Sequence, residues 1–92
     1  MDEQFLVDQR DKLREQLARL REARDRLATA AMSAVDEMAR LERLEPGSLA
    51  EATLARSRRA QDQLAALDDQ IRSLVGTLKT VEDRLALQRE TG

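Results

Sequence analysis

The sequence predicts an all-α fold: an antiparallel two-helix coiled-coil hairpin that assembles further into a four-helix bundle. Three observations carry that expectation: a heptad seam in each half of the chain, one strong turn signal at the midpoint, and an unusual composition. Of the 92 residues, 37% are charged and 41% hydrophobic, with a single aromatic, Phe5. Long water-washed helices have this profile, whereas a thick globular core does not. The chain reads as one domain, with a first helix over about 3–44, a turn at 45–48 and a second helix over about 48–89.

The first helix carries one unbroken line and one interrupted line. Leu6, Leu13, Leu20, Leu27, Ala34 and Leu41 stand seven apart at heptad position d, while position a reads Arg10, Leu17, Arg24, Ala31 and Met38. Two readings of the arginines stay open. Each guanidinium either snorkels past its aliphatic stem to water or a nearby carboxylate, or it fixes register and partner choice.

The turn is Glu45-Pro46-Gly47-Ser48, which holds the only proline in the chain. Proline cannot continue a helix, and Ser48-x-x-Glu51 forms the pattern of a capping box that restarts one.

The second helix has the cleaner seam. Ala60, Leu64, Leu67, Ile71, Leu74, Leu78, Val81 and Leu85 follow alternating steps of four and three without a miss. Toward the turn the seam thins to Ala50, Thr53 and Ser57, side chains small enough for two backbones to approach closely. Gly76 falls on the outer face at f. It costs about 1 kcal/mol relative to alanine and is read as a tolerated defect rather than a bend.

Folding back at the turn places together residues whose numbers sum to roughly 93 to 95. Leu41 then faces the Thr53 region, Leu27 faces Leu67, Leu20 faces Leu74 and Leu13 faces Val81, along arms about 60 Å long. Opposite charges four apart support the exposed faces: Asp8 with Lys12, Glu15 with Arg19, Glu22 with Arg26, Asp36 with Arg40 and Asp68 with Arg72.

A lone two-helix seam buries little apolar surface against the entropy of ordering so long a chain. The apolar stripe also widens toward the turn, where Ala23, Ala28, Ala30, Val35 and Leu44 flank the first seam and Leu49, Leu54 and Val75 flank the second. That width suits a four-helix bundle. Val35, Leu44, Leu49, Leu54 and Val75 are therefore the interface candidates, and the partner is a second copy, as a homodimer or higher assembly, or a helix of another protein.

Chemistry is sparse. The chain has no His, Cys, Trp or Tyr, which removes the usual general base, the thiol nucleophile and the soft metal ligands, so the expectation is no enzyme, no cofactor and no metal. The adjacent acids Asp68-Asp69 and Glu82-Asp83 diverge around a helix and lack a third oxygen ligand. Net charge is −2, which gives no field to recruit nucleic acid or an anionic surface. Arg40, Arg43, Arg56, Arg58 and Arg59 fall near the turn on both arms and form a candidate basic collar for an anionic partner. Asp36, Glu37, Glu42, Glu45, Glu51 and Asp62 share that zone, and without aromatics for base stacking nucleic acid is disfavoured. The longest weakly polar run, Leu27 to Val35, is far short of the roughly 20 residues of a membrane span. The first residues, Met1 to Asp8, lack a basic segment followed by a long apolar one. A soluble, cytoplasmic protein is expected, with export by a signal-peptide-independent route as the variant. Fourteen Arg against two Lys suggest a GC-rich, bacterial source.

In size and architecture the chain resembles the small helical hairpins of bacterial secretion. It lacks the Trp-x-Gly turn of the WXG100 class, since its turn reads Glu45-Pro46-Gly47-Ser48, and it has no tyrosine after the second helix. Pro46 does give it the proline-containing turn of type III needle subunits. The primary expectation is a non-catalytic protein–protein interaction module, a self-associating hairpin acting as scaffold, adaptor or assembly subunit. The resemblance implies an alternative, a secretion-associated chaperone or secreted subunit. The arginine collar implies another, a regulator that binds an anionic partner.

Overall fold

The computed structural model describes residues 3–47 and 51–91. These form two helices, α1 over Glu3–Leu44 (42 residues) and α2 over Glu51–Thr91 (41 residues), which pack against each other as a hairpin. Ser48, Leu49 and Ala50 lie outside the described residues, as does the side chain of Glu51, and with them the expected capping box and one interface candidate.

Helix α1 ends where its sequence requires. The Glu45 N–H still donates to the Leu41 carbonyl at 2.9 Å, but Pro46 has no N–H to offer and its ring disfavours helical backbone in the residue before it. Gly47 follows at φ +83°, the left-handed value that a type II turn asks of the residue after its proline. Its N–H donates to Glu42 Oε1 at 3.0 Å, so a side chain from the last turn of α1 takes over where backbone pairing stops.

Burial follows the heptads. In α1 the positions Leu6, Arg10, Leu13, Leu17, Leu20, Arg24, Leu27 and Ala31 are buried or half-buried, whereas the next d positions, Ala34 and Leu41, are exposed. In α2 the line from Ala60 to Leu85 is shielded at every step, and it continues one position further to Gln88.

The hairpin divides into two compact units, Met1–Glu22 with Asp69–Gly92, and Ala23–Asp68. The first holds the core. Leu6, Val81 and Leu85 are buried together, with Leu13 and Val7 packed on them, and Leu17 is buried as well. The Leu13–Val81 neighbourhood is the register expected from the sequence. Arg14 pairs with Glu82 at 3.5 Å and Arg89 with Glu3 at 3.0 Å across the two helices. The second unit holds no fully buried hydrophobic residue among those described. Its cross-helix polar link is Arg24 Nε donating to Asp68 Oδ1.

The expected i, i+4 pairs are corrected in detail. Arg40 takes Glu37 at 2.6 Å instead of Asp36, and Arg72 takes Asp69 at 3.4 Å instead of Asp68, each at i, i+3. Asp68 is drawn across to Arg24, and Asp8 accepts from Gln4 Nε2. Among the described residues no Glu15–Arg19 or Glu22–Arg26 pair closes, as expected where water competes with weak exposed pairing.

Helix α2 runs through Gly76 without interruption, and a Cβ there would meet nothing within 4 Å. The glycine is a tolerated defect with no packing reason behind it. No helix among the described residues is long and apolar enough to cross a membrane.

Candidate functional site

The site arises from what the seam lacks. Through unit Ala23–Asp68 the facing positions carry Ala31, Ala34, Thr53, Ser57 and Ala60, whose side chains are too short to fill the space between two helices. A groove of about 400 Å³ opens there, walled by Leu27, Met38 and Leu41. Val35 and Gln61 also line it, as do two residues of opposite charge, Glu37 and Arg56.

Large apolar side chains of this unit stand in the open. Of those that line the groove Val35 is 48% exposed and Leu41 42%, and elsewhere in the unit Leu54 is 45%, Met32 68% and Leu44 72% exposed. Single exposed apolar residues need no explanation, but five on one 46-residue unit form an unusual concentration for a surface facing only water.

Of the five interface candidates, Val35, Leu44 and Leu54 lie in this unit and are exposed. Leu49 lies outside the described residues. Val75 is 41% exposed but belongs to the other unit. Two further large apolar residues of this unit are exposed. Leu41 sits at d on the seam, but Thr53 opposite is too small to cover it. Met32 sits off the heptad lines, where periodicity gives no reason to select it.

The five collar arginines are all exposed. Arg40 is neutralised locally by Glu37, and Arg56 lines the groove. Among the described residues Arg43, Arg58 and Arg59 close no ion pair, and no acid-rich or other cluster able to hold a metal ion occurs. A smaller cavity of about 230 Å³ in the other unit is lined by Arg10, Arg14, Glu82 and Arg89. Its charge is already met, since the three arginines pair with Asp11, Glu82 and Glu3.

The two seam arginines resolve differently. Arg10 turns to its sequence neighbour Asp11 at 3.2 Å, whereas Arg24 reaches the opposite helix. The hydrogen bond that Arg24 donates to Asp68, and then the charge of that carboxylate, hold Arg24 above the ordinary arginine range. An upward shift on a cation contributes below that range and is lost as pH rises through the still higher folded value.

Comparison of the chain with protein-family models, with curated proteins and with solved structures found no match.

Proposed function

We propose that this chain is a non-catalytic protein–protein interaction module, a self-associating helical hairpin that serves as a scaffold, adaptor or assembly subunit. One observation carries the reading: one unit of the hairpin has a buried apolar core, whereas the other has none among its described residues and holds an open groove lined by the exposed Val35 and Leu41. Apolar surface held in that way stabilises a complex when a second surface removes it from water. The charged composition, at 37%, supports an aqueous, cytoplasmic setting for such an assembly.

The test combines sedimentation equilibrium with circular dichroism over a range of concentrations. The wild-type chain is expected to exceed its 10.4 kDa monomer mass at micromolar concentration. Val35→Lys with Leu54→Lys should shift it to monomer while helicity is kept. A wild-type monomer at all concentrations, fully helical and stable to heat, would refute self-association. Loss of helicity in the variant would assign both residues to the hairpin's own core instead.

A further inference from the structure

We infer that the groove between Ala31, Ala34 and Ala60 is the seat of a second copy of this chain, which inserts exposed side chains of its own Ala23–Asp68 unit in a two-fold arrangement. The inference rests on the self-association reading and adds its place and partner. Two observations select a second copy over another occupant.

The first is that the recess and the side chains able to fill one stand on the same face. The small residues that open the groove line it together with Val35 and Leu41, which are 48% and 42% exposed. A two-fold interface needs this arrangement, because each copy must offer both the recess and what fills it. The second is charge. The lining holds one acid and one base, Glu37 and Arg56, so it gives no single-sign field to draw an acidic or a basic peptide. Arg56 closes no ion pair among the described residues, and Glu37 binds Arg40 through Oε1, which leaves Oε2 to accept.

Filling the groove from within the chain tests the seat. Ala34→Leu with Ala60→Leu places the chain's own methyl groups where the second copy is inferred to insert. Association is read by sedimentation equilibrium and helicity by circular dichroism, with Ala18→Leu, exposed in the other unit, as control. The expected result is a helical variant whose dimer dissociation constant is weaker by about ten-fold or more, with the control unchanged. A filled variant that dimerises as tightly as wild type would overturn the seat and leave self-association standing. A monomeric wild type would instead refute self-association, and the seat with it. Should the double variant lose helicity, Ala60→Met alone, with a flexible side chain, is judged by the same two outcomes.

Discussion

Gly47 and Gly76 show how two identical residues carry opposite information. At Gly47 the backbone stands at φ +83°, where a Cβ is strained even though the space around it is empty. Gly47→Ala is expected to cost about 1 to 2 kcal/mol. At Gly76 the backbone is helical and the space is equally empty, so Gly76→Ala is expected to be neutral or to stabilise by up to about 1 kcal/mol. Urea denaturation of the two variants side by side checks the pair, and a shift of the same sign in both would show that the turn does not hold Gly47 left-handed. The sequence marked both sites, one by its place after Pro46 and the other by its place at f. The partners of the surface charges were less legible. Arg40 and Arg72 each had two acids in reach, three and four residues back, and the energies that separate such choices are a few tenths of a kcal/mol.

Periodicity defined the helices well because the hydrophobic effect acts on every turn. The steps of four and three from Ala60 to Leu85 reappear as the shielded face of α2, and Leu13 packs on the cluster that holds Val81, in keeping with folding back at the turn. The same rule failed at Ala34 and Leu41, because a heptad position says where a side chain points and not whether anything large stands opposite. The groove is therefore visible only when both helices are considered together. A polar link crosses between the helices too. Arg24 crosses to Asp68, and exchanging the charges tests whether that link matters. Arg24→Asp is expected to lower the melting temperature, and adding Asp68→Arg in the same chain should recover most of the loss. Failure to recover would mean that Arg24 serves only through its aliphatic stem.

Within the whole chain, stability is distributed unevenly. Leu6, Val81 and Leu85 are at most 4% exposed, while the unit Ala23–Asp68 has no equivalent cluster among its described residues. Leu85→Ala is expected to cost about 2 to 5 kcal/mol, read from denaturation at any protein concentration. Amide hydrogen exchange should find the slowest protons in the unit that contains Leu85, and amides around Ala34 and Ala60 should slow only as concentration rises. Equal protection in both units in dilute solution would contradict this division. The pairing of Leu6 with Leu85 also has a consequence for biosynthesis. A ribosome delivers Leu85 nearly eighty residues after Leu6, so the tightest cluster must wait for Leu85 and then close a loop of that length. Throughout that interval α1 emerges with a bare leucine stripe and no mate. The nascent polypeptide is thus prone to mispairing with a neighbour on the same polysome until Leu85 has emerged.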